Sequence, residues 1–118
     1  MSVTKQIDQE VIEKPWGKEI VWANSKDYIG KIIIINKGCR LSLQYHNEKT
    51  ETILLLSGEL LIEGKDGVEL ARLSSGDAFH ILPEIVHRFC ATTQQVTIVE
   101  VSTNHMSDVV RIEDDYGR

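Results

Sequence analysis

Four side chains that can bind a metal ion through oxygen or nitrogen are spaced so that short β-strands would bring them together. Gln44 and His46 are two residues apart, so on a strand their side chains point to the same face. Glu51 opens the next apolar run after a short loop, and His87 stands near the start of a later run that follows a proline. An amide oxygen, a carboxylate and two imidazoles suit one divalent ion, and zinc, manganese, iron, cobalt and nickel all remain open. The alternative reading of the spacing alone is a pair of ordinary hydrogen-bonded histidines.

Short strands would have to position these residues, because apolar and β-branched runs recur roughly every eight to twelve residues, as in an all-β sandwich or barrel. The predicted strands cover residues 19–23, 28–36, 40–46, 51–57, 60–63, 68–73, 77–82, 86–91 and 96–102. Asp66-Gly67 predicts a two-residue hairpin turn between two of them. Residues 107–115 are compatible with one or two helical turns after the last strand.

Length and composition exclude several classes of protein. The 118 residues predict a single domain, 1–118, with no room for a separate cofactor-binding domain. A net charge of −5 argues against nucleic acid as a partner, and no apolar run approaches the roughly 20 residues of a membrane span. Residues 1–10 lack the apolar stretch of a secretory leader, which predicts a cytoplasmic protein with Cys39 and Cys90 as free thiols.

Two spaced patterns resemble the two motifs of the cupin superfamily. The first is formed by five residues at that motif's spacing: Gly38, Gln44, His46, Glu51 and Gly58. Gln44 replaces the first histidine of that motif. From Gly76, eleven positions lead to His87, as in the second motif, although Leu82, Glu84 and Ala91 stand where that motif has Pro, Gly and Asn. The resemblance implies an all-β jelly-roll sandwich.

Three further segments, Pro15-Trp16-Gly17, residues 41–46 and residues 109–118, resemble the cupin domain of type II mannose-6-phosphate isomerases. The resemblance implies a metal ion on Gln44, His46, Glu51 and His87. It also implies phosphate-binding roles for Arg111 and Arg118, and it changes residues 103–118 from a solvated tail into one expected to pack on the barrel. In that family the cupin follows a guanylyltransferase domain that this sequence lacks, so no nucleotidyl transfer is expected.

The sequence departs from the family around the predicted metal ligand Glu51. The family reads Arg-x-Glu-His-Trp where this chain reads Lys49-Thr50-Glu51-Thr52-Ile53. Lysine keeps the positive charge of arginine but not its two-pronged geometry. We expect Lys49 to assist the proton transfer or to stabilise an enediolate, with Arg111 acting beside it, while the general base stays unassigned.

Two other residues have readings that spacing leaves open. His80 alternates with Phe79 and Ile81, so it either reaches the substrate pocket or lies in the pocket wall or core. Arg88 faces opposite to His87 and is expected to be a surface charge.

The first functional hypothesis is a metal-dependent isomerase that interconverts an aldose and a ketose phosphate, such as mannose 6-phosphate and its ketose. The second is a cupin that keeps the metal in a changed role, either a sugar-binding or regulatory module or an iron-dependent dioxygenase using His46, His87 and Glu51. Both predict a small-molecule ligand, and the exposed edges of a small open sandwich predict a homodimer.

Overall fold

The computed structural model describes residues 4–118. The first three residues of the predicted domain 1–118 and of the segment 1–10 lie outside the described residues. The strands of the described range are β1 (Glu10–Lys14), β2 (Gly17–Asn24), β3 (Ile29–Ile35), β4 (Leu43–Tyr45), β5 (Glu51–Ser57), β6 (Leu60–Glu63), β7 (Glu69–Leu73), β8 (Ala78–Ile81), β9 (Arg88–Cys90), β10 (Val96–Ser102) and β11 (Val110–Glu113). A single 3₁₀ turn, Lys65–Gly67, is the helical element of that range. The all-β prediction is confirmed, and β5, β6 and β10 have the predicted bounds.

The strands form two layers. One is a six-stranded antiparallel sheet in the order β1-β2-β3-β10-β5-β8. The other contains β7-β6-β9 and continues through the bridges Arg40↔Cys90 and Gln44↔His87 to β4, which pairs with β11. The result is the expected jelly-roll sandwich, in which β4, β5 and the start of β9 meet at one end.

Apolar side chains at alternate positions of the strands fill the space between the two layers. In β3 and β10, Ile33, Ile35, Val96 and Ile98 are at most 2% exposed. Because strand side chains alternate between faces, every second residue of these runs enters the core. Each such aliphatic side chain contributes about 1.5–3 kcal/mol by leaving water.

An N-terminal hairpin that the sequence analysis missed adds β1 to the edge of the larger sheet. Its sequence, EVIEK, is mostly charged and does not indicate a strand. The strand pairs with β2 from Glu10↔Val21 to Lys14↔Gly17. Trp16, in the turn, is 2% exposed and packs in the core. Gly17 has φ +154°, and a Cβ there would collide with the carbonyl oxygen of Ile34.

The predicted Asp66-Gly67 hairpin turn is confirmed. Asp66 and Gly67 have φ of 60° and 73°, the sign that a type I′ turn needs at both central residues. The turn connects β6 to β7, which pair antiparallel.

Two predictions for the C-terminal half are wrong. Residues 107–115 contain no helix; they include β11, which pairs with the otherwise open edge of β4 through Val110↔Tyr45 and Arg111↔Gln44. Arg88 is not a surface charge but 4% exposed, because its side chain lies against the backbone of Leu41 and the C-terminal residues Glu113 and Asp115. Its Nε donates to the carbonyl of Leu41 (3.0 Å), and its guanidinium lies 3.8 Å from carboxylate oxygens of Glu113 and Asp115.

Within residues 4–118, no helix has the length and apolar character needed to cross a membrane.

Candidate metal centre

Three of the four predicted metal ligands converge at the end of the sandwich where β4, β5 and β9 meet. His46 directly follows β4, Glu51 is the first residue of β5, and His87 directly precedes β9. All three are buried, at 3%, 2% and 1% exposure. Their ligand atoms lie within 4.8 Å of one another, so a single ion could reach all three.

The protonation of the two imidazole rings suits a metal ion. His46 Nδ1 lies 2.6 Å from the carbonyl oxygen of Asp108, and His87 Nδ1 lies 2.8 Å from that of Ile85. A carbonyl only accepts, so each Nδ1 carries a proton, and in the neutral ring this tautomer leaves the Nε2 lone pair available to a metal ion.

Both Nε2 atoms point at the same carboxylate. They lie 3.7 Å (His46) and 3.2 Å (His87) from Oε1 of Glu51, and neither has a hydrogen-bond partner among the described residues. Two buried lone pairs facing a carboxylate repel one another, and a shared cation removes that repulsion. The residues therefore fit a divalent ion, and their nitrogen and oxygen donors leave its identity open.

Gln44, the fourth predicted ligand, lines a cavity together with His46 and Glu51. Its backbone exchanges hydrogen bonds with that of His87, N to O at 3.0 Å and 2.9 Å, which ties β4 to the segment before β9. Its side-chain Oε1 accepts a hydrogen bond from Ser42 Oγ at 2.8 Å. A carbonyl oxygen has a second lone pair, so ligation by Gln44 stays a prediction.

Lys49 is buried between two carboxylates. Its Nζ lies 3.0 Å from Oε2 of Glu51 and 3.3 Å from Oε2 of Glu100. Burial alone would lower the pKa of this ammonium group, but the charges of Glu100 and Glu51 outweigh it and raise the pKa. Burial, followed by the neighbouring Glu51, raises the pKa of the Glu100 carboxyl to about 7. Lys49 is thus held as a cation beside the metal centre.

Sequence reasoning missed two charged residues on the inner face of the larger sheet. Lys31 in β3 and Glu100 in β10 are 8% and 3% exposed, and they are cross-strand partners. Lys31 Nζ also lies 3.3 Å from Glu19 Oε1. The missed signal was the alternation: each charge occupies an inward position of a strand that is rich in Ile or Val.

A cavity of about 240 Å³ connects the metal centre to these charges. Its lining includes Lys14, Glu19, Lys31, Gln44, His46, Lys49, Glu51, Glu100 and Arg111. A smaller cavity of about 50 Å³ extends to Arg118 and shares five lining residues with the first: Lys14, Glu19, Leu41, Gln44 and Arg111. The predicted arginines therefore lie along one cleft with the metal centre.

The two arginines differ in their contacts. Arg111 is exposed and makes no ion pair with any described residue. Arg118 is paired, with its Nε 3.0 Å from Oδ2 of Asp114 and its guanidinium 5.8 Å from the centre of the Tyr116 ring. Arg111 is the one whose charge is free for a ligand.

His80, predicted to contact the substrate, does not line the cavity. It lies on β8 directly opposite Thr52, and Thr52 Oγ1 and His80 Nδ1 are 2.7 Å apart. Opposite residues of an antiparallel pair share a face. Because Glu51 and Ile53 face inward, Thr52 and His80 face outward, and the structure separates His80 from the metal centre.

A family model and a curated relative each match most of this sequence. The family model for the mannose-6-phosphate isomerase C-terminal domain matches residues 3–114. The xanthan biosynthesis protein XanB of Xanthomonas campestris pv. campestris is 28% identical over 111 residues, which cover 91% of this chain and 23% of XanB. The chain thus spans about a quarter of the length of that curated relative.

Solved structures share the fold at low sequence identity. The capsular polysaccharide assembling protein CapF from Staphylococcus aureus superposes with a TM-score of 0.77 at 14% identity, covering 90% of this chain and 34% of CapF. An RmlC-like cupin from Shewanella frigidimarina gives 0.71 at 18% identity, covering 84% of this chain and 86% of the other. At such identities the likeness shows the cupin fold alone.

Proposed function

Because the chain belongs to the mannose-6-phosphate isomerase C-terminal family of cupins, we propose that it is a metal-dependent isomerase that interconverts an aldose phosphate and a ketose phosphate. One observation carries the proposal: two histidine Nε2 lone pairs and a carboxylate converge, without other partners for the nitrogens, on a polar cavity. A divalent ion bound there would polarise the oxygens on C1 and C2 of the sugar.

Lys49 is suited to stabilise the negative charge that develops on the substrate oxygen. Its ammonium group is held charged by Glu51 and Glu100, so it can donate a hydrogen bond but not accept a proton. Arg111, at the same cavity, would assist it.

A general base must move the proton between the two carbons, and a carboxylate that does not hold the metal can serve. Glu19 and Glu100 are the lining carboxylates of that kind, and we assign the proton transfer to one of them. The substitutions Glu19→Gln and Glu100→Gln distinguish them, because only one should abolish turnover while sparing zinc binding.

The phosphate of the substrate would bind at the other end of the cleft. Arg111 and Arg118, expected from the family, are joined there by Lys14, which lines both cavities. Three cationic side chains around one small cavity suit a phosphate dianion, and arginine matches its paired oxygens.

An assay of the zinc- or manganese-loaded chain tests the function. Mannose 6-phosphate should be converted to fructose 6-phosphate, and mannose should not. The double variant His46→Ala/His87→Ala serves as the inactive control. Turnover equal in that variant and in wild type, or none in a metal-loaded wild type, would overturn the isomerase proposal.

One observation favours the second function, an iron-dependent oxygenase. The buried cluster consists of two histidines and one carboxylate, the ligand set of such enzymes. The ferrous protein should then consume O₂ in the presence of a sugar, whereas an isomerase accepts zinc and ignores O₂. Sugar binding without either reaction would indicate a binding or regulatory module.

We also propose a phosphorylated sugar as the ligand and a cytoplasmic homodimer as the assembly. XanB is named for xanthan biosynthesis and CapF for the assembly of a capsular polysaccharide, which supports a sugar ligand. The outer face of the larger sheet exposes Leu54, Leu56 and Val101 on β5 and its neighbour β10, which supports burial against a second copy. Sedimentation that shows only a 13.4 kDa species would contradict the dimer.

A further inference from the structure

Asp108, a residue outside the predicted site, holds the loop between two metal ligands. This loop, residues 47–50, connects His46 to Glu51. Oδ1 of Asp108 accepts hydrogen bonds from the backbone N (3.0 Å) and side-chain Nδ2 (3.3 Å) of Asn47. Oδ2 accepts from the backbone N of Glu48 (2.7 Å) and of Lys49 (3.0 Å). One carboxylate therefore satisfies three consecutive amides of the loop.

The same residue orients one of the ligands directly. The backbone oxygen of Asp108 accepts the Nδ1 proton of His46 at 2.6 Å, which leaves Nε2 of His46 facing Glu51. Hydrogen bonds from the backbone amides of Asn47 and then Glu48 hold the pKa of the Asp108 carboxyl well below its ordinary value, so this carboxylate stays ionised.

Residues on both sides of Asp108 add further contacts to the same loop and to β4. Thr103 exchanges hydrogen bonds with Thr50, the residue before Glu51: its backbone N donates to the Thr50 carbonyl (3.1 Å) and its Oγ1 accepts from the Thr50 N (3.3 Å). Two residues after Asp108, β11 begins and pairs with β4. The segment 103–109 thus joins both ends of the loop to the strand that carries Arg111.

We propose that Asp108 is a positioning residue of the metal centre, which fixes His46 and Glu51 at binding distance without itself ligating the ion. The proposal rests on the proposed metal-dependent function. Outer hydrogen-bond partners of metal ligands fix ring orientation and tautomer, and their loss typically weakens metal affinity about 10- to 100-fold.

The matched pair of variants is Asp108→Asn and Asp114→Asn. Asparagine keeps one acceptor oxygen, so the Asp108 variant loses the partner of two loop amides. Asp114 is the control because its carboxylate also accepts four hydrogen bonds, from Tyr116 and Arg118, yet it touches no residue of the metal cluster.

Calorimetric titration of the full chain with zinc should show affinity weakened about 10- to 100-fold in Asp108→Asn and unchanged in Asp114→Asn. Unfolding of the metal-free proteins in urea measures the stability that each variant loses. If Asp108→Asn keeps wild-type zinc affinity, or if Asp114→Asn loses as much, the positioning role is overturned.

A readout in the metal-free chain separates this inference from the proposed function. Nitrogen-15 NMR of the imidazoles should show both histidines with the proton on Nδ1 in wild type. In Asp108→Asn the amides of Glu48 and Lys49 should exchange faster, because they lose their acceptor. The backbone oxygen of residue 108 remains, but without the side-chain contacts to the loop it should no longer be held against His46, so His46 should lose that single tautomer while His87 stays unchanged. If wild type binds no zinc, the metal-dependent function fails and this NMR result alone decides whether Asp108 positions His46.

Discussion

The two histidines of the candidate metal centre have the same side chain, but different parts of the fold hold their rings in place. His87 donates its Nδ1 proton to the carbonyl of Ile85, two residues earlier in its own turn. His46 donates its Nδ1 proton to the carbonyl of Asp108, which is 62 residues away. One ring is oriented by its local backbone and the other by a segment that must first fold back across the sandwich.

This difference shows that half of the centre depends on long-range folding. The turn before His87 belongs to one continuous piece of sequence, and it touches the other half through the Glu84 N–H, which donates to the His46 carbonyl (2.6 Å). The support of His46 needs the segment 103–109 and the pairing of β11 with β4. The contact that orients His87 lies within one short sequence motif and can be predicted from it. The contact that orients His46 forms only when distant parts of the chain have folded together.

Removing either imidazole ring should have the largest effect on zinc affinity, and so it is the first test of this comparison. His46→Ala and His87→Ala should each weaken zinc affinity by more than the about 100-fold expected at most from an outer partner, because each deletes a ligand. Metal content after dialysis and calorimetric titration measure the loss. Zinc at about 100 times its dissociation constant should stabilise wild type by about 2.7 kcal/mol and the double variant not at all.

The matched control for these variants is His80→Ala. His80 faces away from the cavity, so this variant should keep stoichiometric zinc and bind mannose 6-phosphate like wild type. A double variant His46→Ala/His87→Ala that still retained stoichiometric metal would place the site elsewhere in the molecule.

A second prediction concerns β11, the strand that begins two residues after Asp108 and carries Arg111. Arg111→Ala should weaken mannose 6-phosphate binding to the metal-loaded chain by roughly one to two orders of magnitude, since a charge-assisted contact contributes about 1.5–3 kcal/mol. Arg118→Ala should cost less, because Asp114 already pairs with that guanidinium.

Calorimetric titrations with mannose 6-phosphate and with mannose measure both effects. Arg72→Ala is the control, since Arg72 is exposed, pairs with Glu69 and lies outside both cavities. Equal affinity for the two sugars in wild type would contradict the phosphate-binding role of this strand.

Local patterns were sufficient to predict much of the fold and the residues of the metal cluster. Alternating apolar residues predicted β5 and β10, and the signs of φ at Asp66 and Gly67 match the predicted turn. His46, Glu51 and His87 were singled out because their types suit one divalent ion and their spacing matches the two cupin motifs, and the structure brings the three together.

The supports could not be predicted in the same way, for identifiable physical reasons. Asp108 resembles any aspartate in a polar loop until β11 pairs with β4 and brings it to residues 47–50. The alternation around His80 was correct, but the face it occupies depends on its register opposite Thr52. A polar strand such as β1 is specified by its partner β2 more than by its own sequence.

The smallest predicted effect lies in the local support of His87. Of the described residues other than glycine, only Asp66 and Glu84 have positive φ, and Glu84, at 71°, occupies the position where the second cupin motif has glycine. A left-handed conformation costs an L-residue roughly 1–2 kcal/mol, and glycine avoids that cost but loses about 0.4–1 kcal/mol to its freer unfolded chain. Glu84→Gly should therefore raise the free energy of unfolding, measured in urea, by up to about 1 kcal/mol.

Two control variants test whether strain is the cause. Glu84→Ala should change the free energy of unfolding little because it keeps the strain, and Glu59→Gly, at an exposed residue without positive φ, should lower it. If Glu84→Gly destabilised the chain as much as Glu59→Gly does, the turn before His87 would not be strained, and the contrast between the two supports would rest on the hydrogen bonds alone.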